Sequence, residues 1–280
     1  MRPIHYIAVI AALALTVGLY FGVKTTPPKK PKAQQPMNEA AAHAIPHTIL
    51  SFDSLLTATK KTLPAHAKEE VATAEKAIAD IADSSKMSPA LERLAQVWQE
   101  HREYPIAAYY YLVSGKLANS EKKLNFAAQL FLDLARRSSS EALQAWEGQM
   151  AIDGFKGVLA LNPENDTATV NLAECYIGVG ETMQGVMMLR DFSQKRPENI
   201  PANLILGQQG IVSGQLDKAA DRFQKVLAQD AHNIEAMLGL AEVYKNKGEK
   251  AKAVEILERA KKTMDNPEFS KDIDNYIKTF

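Results

Sequence analysis

From Ile49 to the C-terminus, apolar residues recur three or four positions apart, the spacing of one face of an α-helix. Between residues 166 and 265 that spacing is overlaid by a longer one of 34 residues. Leu172, Leu206 and Leu240 form one series, Gly180, Gly214 and Gly248 a second, and Gly185, Ala219 and Ala253 a third. Asn165, Asn199 and Asn233 form a fourth. A fixed period of this length predicts a solenoid of helical hairpins, in which no unit buries its apolar face alone and stability comes from stacking. Small residues at 173, 207 and 241, and again at 185, 219 and 253, let helices approach closely, with Phe223 or Leu257 filling the space between. The glycines at 180, 214 and 248 end the first helix of each hairpin, where a left-handed residue is needed. Asn162-Pro163 and Arg196-Pro197 stop the second helices.

The same pattern extends backwards in weaker form. Residues 88–121 read as a divergent unit, with Pro89 in the first turn, Leu94, Ala95 and Trp98 on one face, and a restart at Pro105. Residues 122–165 read as an irregular, extended unit. Of the run Tyr109-Tyr110-Tyr111, one ring is expected between hairpins and the others toward solvent. Residues 48–87 predict an N-terminal helical hairpin interrupted at Pro64, with Ser51 and Asp53 as candidate caps. Residues 268–280 predict a C-terminal capping helix through Phe269, Ile273, Tyr276, Ile277 and Phe280. The regular units are 166–199, 200–233 and 234–267.

The N-terminus breaks the pattern. After a tail of residues 1–5, residues 6–23 contain no charge over 18 positions. That length matches the roughly 20 residues a helix needs to span a bilayer core, with Tyr6, Tyr20 and Phe21 at its ends. A transmembrane anchor is expected. A cleaved signal peptide is the rival reading, opposed by the absence of a small-x-small cleavage site after the apolar run. A buried core helix is opposed by the Pro/Lys-rich linker at 24–47, which reads as a solvated, partly polyproline spacer. Lysine count places the C-terminal domain in the cytoplasm. The short tail before the apolar segment instead fits a signal-anchor that exports the C-terminal domain. The expected location is a single-pass cell-membrane protein with its soluble domain on the periplasmic or extracytoplasmic side.

Charge changes little in this picture. Lys plus Arg and Asp plus Glu both number 33, so nothing suggests nucleic acid. The single cysteine, Cys175, sits on a helix beside a packing position and reads as a structural thiol. The six histidines are scattered without metal-ligand spacing, and Met183, Met187 and Met188 read as core or interface packing rather than as ligands. No catalytic constellation stands out, so no enzyme activity, cofactor, metal or small-molecule substrate is expected.

Aligned on their glycines, the three regular units resemble tetratricopeptide repeats. The resemblance rests on Leu172, Ala173, Tyr176, Gly180, Gly185, Leu189 and Pro197 in the first. It continues through Leu206, Gly207, Gly214, Ala219 and Phe223 in the second, and Leu240, Ala241, Tyr244, Gly248, Ala253 and Leu257 in the third. Thr169, Asn203 and Met237 replace the family's early aromatic, and Gly210 replaces a later one, which predicts locally looser packing. The resemblance implies an all-α right-handed superhelical solenoid, of a bacterial type with an N-terminal membrane anchor. It also implies a concave groove lined by the first helices. Carried onto this chain, the groove positions are Val170, Asn171 and Glu174; Leu204, Ile205 and Gln208; and Leu238, Glu242 and Lys245, with Ile211 and Val212 beside them. The lysine, arginine and asparagine set with which some relatives grip a C-terminal carboxylate is missing. An apolar strip between Glu174 and Glu242 suits an apolar or weakly basic protein segment. The implied function is a membrane-anchored adaptor binding a protein partner without catalysis. An exported assembly or secretion accessory factor of a membrane complex, and a self-associating structural protein, are the alternatives.

Overall fold

The computed structural model describes residues 50–81 and 83–280. The apolar stretch 6–23 and the linker 24–47 lie outside the described residues. Among the described residues there are thirteen α-helices and no strand, and no helix is long and apolar enough to cross a membrane.

The helices run α1 (Phe52–Thr62), α2 (Ala65–Ala79), α3 (Ser84–Glu100), α4 (Tyr104–Leu117), α5 (Glu121–Arg137), α6 (Glu141–Leu161) and α7 (Asp166–Gly178). They continue as α8 (Thr182–Lys195), α9 (Ile200–Val212), α10 (Leu216–Gln229), α11 (Ile234–Asn246), α12 (Lys250–Met264) and α13 (Pro267–Ile277). From α3 to α12 they pair as five consecutive hairpins, each second helix packing in turn on the first helix of the next unit.

Local chemistry sets the boundaries. The asparagine series supplies N-caps: the side-chain oxygens of Asn165, Asn199 and Asn233 accept from the backbone N–H of Ala168, Ala202 and Ala236, each at 2.9 Å. The glycine series supplies the turns, with φ of 92° at Gly180, 71° at Gly214 and 76° at Gly248. Ser51 caps α1 in a reciprocal pair with Ser54, and Pro64 separates α1 from α2. Pro89 is not in the first turn of α3. The helix starts at Ser84, and the proline lies within it, near enough to the start that only the opening turn loses a backbone bond.

Large rings set the spacing between helices. Trp98, Phe131, Phe155 and Phe223 are all fully buried. At the N-terminal end, Phe52 of α1 stacks on Tyr109 with centroids 3.6 Å apart and meets Tyr110 edge-on at 5.6 Å. Tyr111 packs edge-on against Phe126. All three tyrosines are therefore half-buried, because α1 folds back over Tyr109 and Tyr110 while α5 covers Tyr111. At the other end, Ile273 of α13 joins Ala241 and Leu257 in an apolar cluster, and α13 continues the stack beside α11 and α12.

Candidate functional site

The clearest feature on the first-helix side is a groove between α9 and α11, and glycine makes it possible. The Phe223 ring rises from α10 between these two helices. A Cβ at Gly207 would lie 2.7 Å from that ring, and one at Gly239 would lie 2.4 Å from it. Both positions must therefore be bare for α9 and α11 to close on the ring. Gly239 in turn leaves the floor shallow enough to form a groove of about 490 Å³.

Leu204 and Gln208 line it from α9, and Leu238 and Glu242 from α11, four of the nine positions singled out in the sequence. The remaining lining is Phe223, Gly239, Ile234 and Glu235. Leucine side chains thus form an apolar base, and the charged lining is two carboxylates with no cation. Glu242 accepts a hydrogen bond from the Tyr276 hydroxyl of α13. Burial, then the Glu242 carboxylate beside it, raises the Tyr276 phenol above its ordinary range, so it stays a donor at neutral pH.

The other five positions lie elsewhere. Val170 is 3% exposed, in a core cluster with Ala173, Leu189 and Leu206, and half-buried Ile205 packs on the same cluster. Asn171 donates to Gln129 Oε1 at 2.9 Å. Glu174 accepts from Arg136 Nη2 at 2.6 and 2.7 Å, tying α7 to α5. Lys245 donates to the Tyr276 hydroxyl at 3.1 Å and stands 4.2 Å over that ring. These polar positions serve as ties between successive first helices.

Ile234, Glu235 and Gly239 were not among the sequence candidates. A usable signal existed for one of them: the 34-residue series Asn171, Ile205, Gly239 loses its side chain at the third step. No group of three or more His, Cys, Asp or Glu among the described residues is placed to hold a metal ion. Cys175 is 2% exposed, and burial, then Glu174, pushes its thiol up to about 12. It stays protonated and poorly nucleophilic at neutral pH.

Comparison with known proteins bears on this geometry. Residues 212–271 match the tetratricopeptide repeat family. A tetratricopeptide repeat protein from Parabacteroides merdae superposes with a TM-score of 0.54 at 15% identity, over 76% of this chain and 79% of the other. The described chain has the tetratricopeptide-repeat fold. MamA protein shares it with a TM-score of 0.51 at 16% identity, covering 65% of this chain and 93% of that one. In sequence, the protein CTR9 homolog of Arabidopsis thaliana is 30% identical over 151 residues, which is 48% of this chain. That match spans 14% of the length of the plant protein. Within the tetratricopeptide-repeat frame, α9 and α11 are the first helices of successive repeats.

Proposed function

We propose that this protein is a tetratricopeptide-repeat adaptor that holds an apolar or weakly basic segment of a partner protein in the α9/α11 groove, and that residues 6–23 tether it to a membrane. The observation that carries the reading is the convergence of Leu204 and Leu238 over the Phe223 floor, with Glu235 and Glu242 as the only charged lining. Apolar side chains give affinity by leaving water, and the carboxylates favour a segment with nearby positive charge. The chain's charge-free stretch and the Pro/Lys linker after it support a tether that spaces the repeats from a bilayer, and the short tail before the apolar stretch, against the lysine count, favours the extracytoplasmic side.

Affinity capture with the wild-type chain, followed by mass spectrometry, tests the groove. Replacing Leu204 and Leu238 together with Asp should remove the specific partners while circular dichroism shows helicity retained. Gln208→Lys with Glu235→Lys, two exposed positions, provides a charge test that leaves the core untouched. Capture of the same partners by both double variants would overturn the assignment. Protease accessibility in intact cells tests the side of the membrane.

A further inference from the structure

A second groove lies on the opposite, second-helix side, between α8 and α10, and the repeat itself explains why it is open. In two neighbouring units a polar side chain on the second helix meets the tyrosine that lies twenty positions further along. Lys156 stands 5.4 Å from the centre of the Tyr176 ring, and Gln224 donates to the Tyr244 hydroxyl at 3.3 Å. The equivalent pair in the middle unit is Arg190 and Gly210. The ring is missing there. A side chain at 210 would meet Ala219 Cβ at 2.9 Å, so α9 and α10 approach closely at this point. Arg190 and Gly210 instead line a groove of about 1000 Å³.

Two further properties set this groove apart from an ordinary solvated helix face. Met183 and Met187 line it, and they are 78% and 56% exposed. Methionine side chains in water are poorly explained by folding and well suited to an adaptable apolar contact. The groove also gathers Arg190, Lys218, Arg222 and Lys225 against one carboxylate, Asp221. None of the four cations has an ion-pair partner among the described residues. Lys218 donates to Gln215, and Arg222 to Asn203 Oδ1. Arg222 is half-buried, and burial, then Arg190, lowers its pKa. The sequence before residue 50 carries four lysines in its linker, the wrong sign to cover such a surface.

We infer that the α8/α10 groove is a second docking site, for an acidic segment of a partner protein that lays one aromatic side chain beside Arg190, where the repeat's own tyrosine is replaced by Gly210. The ring would lie against Met183 and Met187 with the Arg190 guanidinium near its face. Flanking carboxylates would pair with Lys218, Arg222 and Lys225. The α9/α11 groove has the opposite charge, so the two faces select segments of different chemistry.

The test uses the full chain in nanodiscs of phosphatidylcholine and three short fluorescent peptides: one of Asp and Glu around a central Phe, one with that Phe replaced by Ala, and one with the acids replaced by Lys. Anisotropy should show the Phe-containing acidic peptide binding at least about tenfold more tightly than either control. It should also slow peroxide oxidation of Met183 and Met187, read by mass spectrometry. Lys218→Glu with Lys225→Glu, both exposed, should abolish the preference for acid. Leu204→Asp with Leu238→Asp should leave this binding unchanged, which separates the site from the groove on the other face. Equal affinity for all three peptides, or protection of the methionines only when phosphatidylserine is added to the nanodisc, overturns the inference, the latter in favour of a lipid surface.

Discussion

Glu147 of α6 is 1% exposed, and one of its carboxylate oxygens has no hydrogen-bond partner. Burial, opposed by the Ser138 hydroxyl, raises its pKa from 4.5 to about 7. The raised value fixes the sign of a pH effect. Below pH 4.5 the group is protonated in both folded and unfolded chains and costs nothing extra. As pH rises past 4.5 the unfolded chain releases its proton while the folded chain keeps it, so stability falls until pH passes about 7. At about 1.4 kcal/mol per pH unit, the whole loss amounts to about 3 kcal/mol. Glu147→Gln keeps the shape and cannot ionise. Measured as the difference between variant and wild type, stability should shift in the variant's favour by about 2–3 kcal/mol on going from about pH 5 to about pH 8. Groups common to both chains cancel in that difference. Urea denaturation monitored by tryptophan fluorescence is the fitting assay, since Trp146 is the adjacent residue and reports the unit concerned even if the repeats do not unfold together. Parallel stability–pH curves for the two chains would refute the argument, because they would place the carboxyl in water.

Two other outcomes are expected from the same structure. Gly239→Ala puts a methyl 2.4 Å from the Phe223 ring and should cost about 1–3 kcal/mol in urea denaturation, with the groove floor displaced. Cys175, protonated and buried, should react with iodoacetamide only on the timescale of unfolding, and its alkylation, read by mass spectrometry, should speed up in step with urea-induced opening.

The helical repeat was legible because its determinants are local. An asparagine that caps, a glycine with positive φ and an alanine at a helix crossing each act within a few residues and recur every 34. The groove was legible in part, for a related reason. Gln208 and Glu242 hold equivalent positions on helices that obey the period, so the spacing brings them to one surface. It fails for Asn171 and Glu174, which face the irregular unit. Their partners, Gln129 and Arg136, lie 42 and 38 residues back rather than 34, and the extra length of that unit hides the pairing from a fixed count. It also fails for Lys245, whose partner Tyr276 belongs to α13 and not to a full repeat.

Gly210 shows the limit from the other side. In the sequence it reads as a lost aromatic and a loosened joint. That reading treats the glycine as a defect of packing, to be judged by what the fold loses. The structure adds what stands around it: Arg190, which faces no ring where Lys156 faces one, and two methionines in water. At Gly210 α9 and α10 close on each other, yet Met183 and Met187 beside them stay open to water, and exposed apolar surface costs roughly 25 cal/mol per Å². An open groove bordered by four cations, none of them ion-paired among the described residues, is stable in water but gains most when an acidic, apolar segment enters it. The departure from the repeat is therefore better understood as the feature that distinguishes one face of the array from the other.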